Sequence, residues 1–474
     1  MSPVHTALKW SFLGELASKA VAPAVFVVLA RLLTPEDFGV VAAATMVISF
    51  SQIFWEAGMS KSIIQYKGDR TAAANVAFWI NNALGLLVAA ALVASSSLIA
   101  DRIFHDQRVA PVLQVMALQV LLSATVSIHV ALLQKDLNFK HLFWVRVATV
   151  AIPGLASIPL AVYGMGYWAL VAGTLAGQVF QVLLLWKTSP WRPRFTFDKQ
   201  IASDLVRFGS WVAITALLGW FYLWADSLIV GIYLGSHELG LYRTGNAFVI
   251  MIFGLLFSPL MPVFYSFLSK VSSTPLRAEN VFRNVMRLMA FISVPLGSIL
   301  CILSQQISAR VFGSHWEGVW LVLAVMSIAQ GLAWCVYPFV EYYRGMGRPE
   351  LETKVMVYTL PVYLGAFLIA APFGLETFLW ARLAVVVVSM VFHCWFFSSN
   401  FPIDMKDVFG PIVKLSSGPI IVAVTWALIR DYDFVSAYAL LGPLSACVMV
   451  VLVTLFLGRK KEIALLRNYL GEKP

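Results

Sequence analysis

Seven ionisable side chains fall at or within stretches of this sequence that are otherwise almost wholly apolar: Glu15, Lys19, Arg146, Asp226, Arg243, Lys354 and Arg382. A charge in hydrocarbon is costly, so such residues are functional candidates by default, facing the interior of a helix bundle. Glu15 and Lys19 stand four apart, on the helix face that also carries Ser11, where they can neutralise each other or hold an anion and exchange a proton. Asp226 can serve as a coupling-ion site or as the partner of Arg243 one span later. Arg382 is a further intramembrane cation. The metal and nucleotide chemistries find no support. Cys301, Cys335, Cys394 and Cys447 are widely and irregularly spaced and read as core cysteines rather than ligands. The histidines are scattered, and there is neither a phosphate-cradling P-loop nor a zinc-type HExxH.

The elements that must position these charges are membrane helices. Of the 474 residues, 60% are hydrophobic and 12% charged, with a mean hydropathy of +0.82, too little polar surface to cover a soluble chain of this size. Apolar stretches of about 20 residues, enough to cross roughly 30 Å of hydrocarbon, recur from end to end. They predict about fourteen spans, at 8–32, 38–57, 75–100, 109–133, 142–162, 166–187, 208–233, 241–268, 286–310, 318–342, 354–372, 376–397, 411–429 and 435–457. The first is interrupted by Glu15 and Lys19, where a signal peptide would be purely apolar, and reads as a retained span.

Basic residues near span ends stay on the cytoplasmic side. With the N-terminus inside, the outer segments hold only Arg31, Arg102, Arg108, Arg310 and Arg430 of the 34 basic residues, and both termini are cytoplasmic. The net charge of +10 reflects this bias and attraction to anionic lipid, with no nucleic-acid partner implied. Trp10, Trp55, Trp316 and Trp320 fall near expected interfaces, as an aromatic belt would. Pro23, Pro153, Pro259, Pro295 and Pro361 inside spans allow kinks.

The chain also repeats itself. A shift of 201 residues lays Trp10 on Trp211, Ala30 on Gly231, Leu33 on Leu234, Asp37 on Glu238 and Gly39 on Gly240; a shift of 208 lays Lys140 on Arg348, Arg146 on Lys354, Pro153 on Pro361 and Gly166 on Gly374. The first shift lays Val25 on Asp226, so that carboxylate belongs to one copy alone. Two ungapped blocks in the same order predict a duplication: a six-helix lobe over 1–187, a basic cytoplasmic linker over 188–207, a second six-helix lobe over 208–397, and two extra helices with a basic tail over 398–474. An even number of spans per copy makes the repeat parallel, the build of transporters with alternating access.

The segments LARLLTPEDFGVVAAATMVISFSQIFWEAGMSKSIIQ (Leu29 to Gln65), LLQKDLNFK (Leu132 to Lys140), GMGYWALVAG (Gly164 to Gly173) and ADSLIVGIYLGSHELGLY (Ala225 to Tyr242) resemble the Wzx-type polysaccharide flippases. These belong to the exporter superfamily that also holds multidrug extruders and the lipid II flippase. The likeness covers nearly the whole chain, and its strongest marks are the two L-x-x-x-x-x-G turns, one in each copy. It implies an all-α membrane fold of two six-helix lobes in a V around a central cavity, plus two helices. It also implies movement of a polyprenyl diphosphate-linked oligosaccharide from the inner to the outer leaflet of a bacterial plasma membrane. On that reading Lys19 meets the diphosphate or an acidic sugar while Glu15 tunes it. Arg146 and Lys354 flank the inner entrance and capture the diphosphate, and Arg382 lines the cavity. No cofactor is needed; proton or sodium coupling through Glu15 or Asp226 is open, and a polymerase and chain-length or export machinery are candidate partners. Two rival classes exist. A membrane glycosyltransferase or polymerase would want a large outer loop or a cluster of Asp, Arg and His, and a cation-coupled drug antiporter an acidic cavity. The outer loops here are short and the intramembrane charges more often basic.

Overall fold

The structure, a computed structural model, describes residues 21–56, 58–271, 274–430 and 441–458. Every regular element among them is helical. Among the described residues, eleven helices are long and apolar enough to cross a membrane, and two shorter apolar helices accompany them. The protein is an all-α, multi-pass membrane protein, the form in which each segment satisfies its own backbone hydrogen bonds away from water.

The helices divide into two compact units, Met1–Arg243 and Thr244–Pro474. The first contains α1 (Val21–Leu32), α2 (Pro35–Glu56), α3 (Met59–Gln65), α4 (Arg70–Ile99), α5 (Val109–Lys135), α6 (Phe139–Val162), α7 (Tyr167–Thr188) and most of α8 (Lys199–Phe257). Local sequence sets the starts. Thr34 and Asp37 form a reciprocal capping box: Asp37 N–H donates to Thr34 Oγ1 at 3.3 Å and Thr34 N–H to Asp37 Oδ2 at 3.0 Å. Pro35 occupies the first helical position, where its missing N–H costs nothing. Asp69 caps α4, accepting from Thr71 N–H at 2.8 Å and Ala72 N–H at 3.2 Å. Hydrogen bonds between side chains then tie helix to helix where lipid gives no hydrophobic drive: Gln114 to Ser96 at 2.9 Å, Gln178 to Ser123 at 2.9 Å and Asn81 to Ser127 at 3.0 Å.

The second unit contains the rest of α8 and α9 (Leu260–Val271), α10 (Pro275–Ile302), α11 (Val319–Gly345), α12 (Glu350–Ala370), α13 (Leu375–Asn400), α14 (Met405–Ile429) and α15 (Leu441–Leu457). Small residues let α10 and α11 cross closely. Ser293 Oγ donates to the Gly331 carbonyl at 2.7 Å, and a Cβ on Gly297 would stand 2.4 Å from the Ser327 carbonyl oxygen.

Three expectations change. The segment 188–207 is helical from Lys199 onward, because Asp198 caps it through Gln200 N–H at 2.8 Å and Ile201 N–H at 3.1 Å. The stretch 241–268 is two helices rather than one, α8 ending at Phe257 and α9 starting at Leu260. Trp55 and Trp316, expected in a lipid-facing belt, are 3% and 0% exposed. Packing turns their rings inward, Trp316 lying 5.4 Å from the Phe312 ring.

Candidate functional site

Helix α8 breaks at Gly235, whose φ of 82° lies in the left-handed region that glycine adopts freely. The chain folds back there as a helical hairpin, and the fold-back assembles a buried polar cluster. Asp226, 6% exposed, accepts at Oδ1 from Ser227 N–H at 2.6 Å and from Ser227 O–H at 3.1 Å, and at Oδ2 from the Tyr242 hydroxyl at 2.7 Å. Arg243 joins from the returning arm: Nη1 reaches Ser227 Oγ at 3.5 Å, and Cζ stands 3.9 Å from the Trp224 ring centroid. Asp226 and Arg243, paired in the reading of the sequence, both reach Ser227 in this cluster. Three donors on one carboxylate fix it in position, as a buried charge requires.

The other sequence candidates stand apart. Arg146 is exposed on α6, and Lys354 is exposed near the start of α12 in the other unit. Arg382 is half-buried on α13, its guanidinium carbon 5.7 Å from the Phe367 ring centroid. Glu15 and Lys19 lie outside the described residues.

A second polar cluster was not singled out from sequence. At one end of the first unit, the turns preceding α2, α5 and α7 and the break in α8 converge. Asp37 Oδ1 accepts from Tyr167 N–H at 2.8 Å, Asp106 Oδ2 accepts from the Ser236 hydroxyl at 2.6 Å, and Glu36 Oε1 meets His237 Nδ1 at 2.5 Å. Arg108 binds Asp106 through Nε and Nη2, at 3.0 and 2.8 Å. Burial pushes the Asp106 carboxyl up, but hydrogen bonds from Arg108 and Ser236 and the Arg108 charge outweigh it and hold the group below its ordinary value. The family-like turns marked this place in the sequence; the partners, 130 and 201 residues apart, left no local signal. Further along α2, Trp220 Nε1 donates to Ser49 Oγ at 3.0 Å, so the cluster ends a longer seam between α2 and the first arm of α8.

At the other end, Lys135 donates to the carbonyls of Ile63 and Tyr66, both at 2.7 Å, and Arg70 pairs with Asp136. In the second unit a cavity of about 640 Å³ opens between α14 and α15, lined by Ile421, Val422, Trp426, Leu441, Ala446 and Met449 among others. Its walls suit a hydrocarbon chain rather than a charged group. No group of three or more His, Cys, Asp or Glu among the described residues is placed to hold a metal.

Residues 28–321 match the family described as "Polysaccharide biosynthesis protein". The chain is similar to the succinoglycan biosynthesis transport protein ExoT of Rhizobium meliloti, 24% identical over 89% of this chain and 84% of that one. It is also similar to the lipopolysaccharide biosynthesis protein WzxC of Escherichia coli, 22% identical over 76% of this chain and 74% of that one. Its fold is similar to that of the lipid II flippase MurJ in an inward closed conformation, with a TM-score of 0.75 at 13% identity over 98% of this chain and 100% of that one. An inward-facing multidrug resistance MATE family transporter of the MOP superfamily follows, with a TM-score of 0.61 at 13% identity over 82% of this chain and 94% of that one. At these identities the structural likeness is one of fold.

Proposed function

The chain belongs to the polysaccharide biosynthesis protein family, and from that premise we propose that it is a flippase. It carries a polyprenyl diphosphate-linked oligosaccharide from the inner to the outer leaflet of a bacterial plasma membrane. The observation that carries this reading is the family match over residues 28–321, on a chain that over 98% of its length is similar in fold to a protein named as a lipid II flippase. The relatives named above are a succinoglycan biosynthesis transport protein and a lipopolysaccharide biosynthesis protein, and the reading assigns this chain no bond-breaking chemistry.

The mechanism is alternating access by two six-helix lobes, 1–187 and 208–397, with 188–207 as linker and 398–474 as an appendage. The turns before α2 and α7 and the break in α8 face outward. The basic ends around Lys135 and Arg70 face the cytoplasm, as do both termini. The headgroup needs cations because its diphosphate is anionic. Lys19 is the mid-membrane contact with Glu15 beside it, Arg146 and Lys354 are the exposed cations that capture the diphosphate at the inner entrance, and Arg382 lines the path. Glu15, Asp226 and Arg243 are the charge network, with Glu15 or Asp226 exchanging a proton or sodium ion. The apolar cavity between α14 and α15 takes hydrocarbon. A polymerase and chain-length or export machinery receive the product.

In cells depleted of the protein, the lipid-linked repeat unit accumulates and polymer at the surface falls. Mass spectrometry of polyprenyl diphosphate glycans, before and after a glycosidase is added to the outside of spheroplasts, tests this: accumulated glycan protected from the enzyme is expected, and accumulated glycan open to it would point to a polymerase instead.

A further inference from the structure

The segment that joins α7 to α8 cannot continue either helix. Pro190 and Pro193 lack the N–H that would extend α7, and each biases the residue before it, Ser189 and Arg192, toward an extended backbone. This strap, residues 189–198, is fastened to the first unit along its length. The Trp191 ring centroid lies 5.0 Å from that of His129 and 5.8 Å from that of Phe78. Arg192 folds back over the end of α7, donating to the carbonyls of Ser189 at 2.5 Å, Trp191 at 2.8 Å and Trp186, where a cation meets the negative end of the helix dipole. Asn75 of α4 grips the residues that follow: its Oδ1 accepts from Arg194 N–H at 3.1 Å and its Nδ2 donates to Thr196 Oγ1 at 2.9 Å. The Arg194 carbonyl accepts from Trp79 Nε1 at 3.0 Å and from Thr196 N–H at 2.8 Å.

That last bond closes a three-residue turn with Phe195 at its apex. A tightly held turn thus presents a side chain that is 87% exposed, and Phe197, two residues on, is 61% exposed. Arg194 and Lys199 beside them are exposed as well. From Lys187 to Lys199 the chain carries four cations against the single carboxylate of Asp198, which is engaged in capping α8. The clasp also sets the depth. Asn75 stands five residues inside the start of α4 at Arg70, about 7 Å at 1.5 Å per residue. The headgroup layer on each side of a hydrocarbon core of roughly 30 Å is about 5 to 8 Å thick. With the charged, half-exposed Arg70 at the water edge, the strap lies where headgroups meet hydrocarbon. Exposed rings flanked by cations at that depth have the composition of an interfacial anchor.

We infer that the strap is a lipid-binding site: Phe195 and Phe197 enter the inner-leaflet interface, and Arg194 and Lys199 hold the headgroup phosphate of an anionic phospholipid. The Asn75 clasp organises the site in advance, so little chain ordering opposes binding. Placement on the inner leaflet rests on the orientation proposed above, whereas the site itself does not depend on the flippase reading.

The test puts a fluorophore on Gln200→Cys, an exposed position just past the strap, in the full-length protein in phosphatidylcholine nanodiscs. Protein bearing only the four native cysteines is the blank. The nanodiscs carry a graded share of phospholipid with a nitroxide high on its acyl chain, either phosphatidylglycerol or phosphatidylcholine. Both are expected to quench, with half-quenching at an at least tenfold smaller share of phosphatidylglycerol, since each basic side chain near the surface favours anionic lipid about fivefold. Arg194→Gln and Lys199→Gln are each expected to lower that preference about fivefold, and Phe195→Ser/Phe197→Ser to weaken quenching by both lipids. All four side chains are exposed, so these variants leave the packing of the unit intact. No quenching by either lipid, equal shares at half-quenching, or a preference unchanged in both charge variants would overturn the site. Loss of the preference on adding soluble glycerol phosphate would assign the cations to free phosphate and overturn it too. A membrane-impermeant maleimide is expected to label Gln200→Cys in inverted vesicles and not in intact spheroplasts; labelling from outside would overturn the inner-leaflet placement. None of these readings needs glycolipid, so a lipid preference in a protein that moves no glycolipid would count against the flippase reading alone.

Discussion

Replacing Asp226 by alanine should destabilise the first unit more than any exposed charge removal in the chain. The carboxylate is 6% exposed and takes three hydrogen bonds, two from Ser227 and one from Tyr242, both of which are themselves 0% exposed. A hydrogen bond to a charged acceptor contributes about 1.5 to 3 kcal/mol. Inside membranes the measured average is nearer 0.6 kcal/mol, because the reference state also finds partners. Ser227 N–H keeps its place in the helix, so the Tyr242 hydroxyl and the Arg243 guanidinium beside Ser227 bear the loss, which comes to about 2 to 3 kcal/mol. At roughly 2 to 4 °C per kcal/mol for a cooperative unit of 150 to 250 residues, the apparent melting midpoint in detergent should fall by about 5 to 10 °C. Size-exclusion chromatography of heated samples reads this directly. Tyr242→Phe alone should cost about 1 kcal/mol, and the double variant should lose less than the sum of the two single losses, since both single variants already remove the bond between the hydroxyl and the carboxylate. Additive losses, or an Asp226→Ala protein as heat-stable as the parent, would refute the assignment of this cluster as a mutually satisfied network.

Other outcomes are expected with less arithmetic. Arg146→Glu and Lys354→Glu, both at exposed positions, should change stability by less than about 0.5 kcal/mol while lowering transport at limiting substrate; normal transport in the paired reversal would remove them from the diphosphate path. Asp37→Ala should cost about 1 to 2 kcal/mol, since it breaks the capping box and frees Tyr167 N–H, seen as faster amide exchange at the start of α2. Gly173→Val should split α6 from α7, because even a Cβ at that position would stand 1.8 Å from Ser157 Oγ and 2.7 Å from the Pro153 carbonyl; reduced yield of folded protein on chromatography checks it.

The spans were legible because membrane helices announce themselves through length and apolarity. Starts with a local signal were legible in principle: the Thr34–Asp37 box, Asp69 before α4 and Asp198 before α8 are side-chain caps readable within four residues. Asp198 sits in basic, proline-containing sequence that reads as linker, and its cap is seen only with the helix it starts. The tryptophans show the opposite limit. Trp55 and Trp316 stand near the ends of apolar stretches, which suggests an interface, but their direction depends on neighbours far along the chain. The same holds for the site. Asp226 was visible as a lone carboxylate in apolar sequence, and Tyr242 as its acceptor-seeking partner was not, because only the reversal at Gly235 brings the two together. Glu36 and His237, 201 residues apart, carry no local signal of their contact.

The measurement that tests the central claim most directly is reconstitution. Purified protein in liposomes carrying a fluorescent polyprenyl diphosphate oligosaccharide is exposed to an external glycosidase, and the fraction of glycan protected is followed over time. Protein-dependent loss of protection, slowed in Lys19→Ala, is the expected result. Protection that stays at the protein-free level in liposomes shown to hold folded protein, or glycolipid that is elongated or consumed instead of moved, would contradict it.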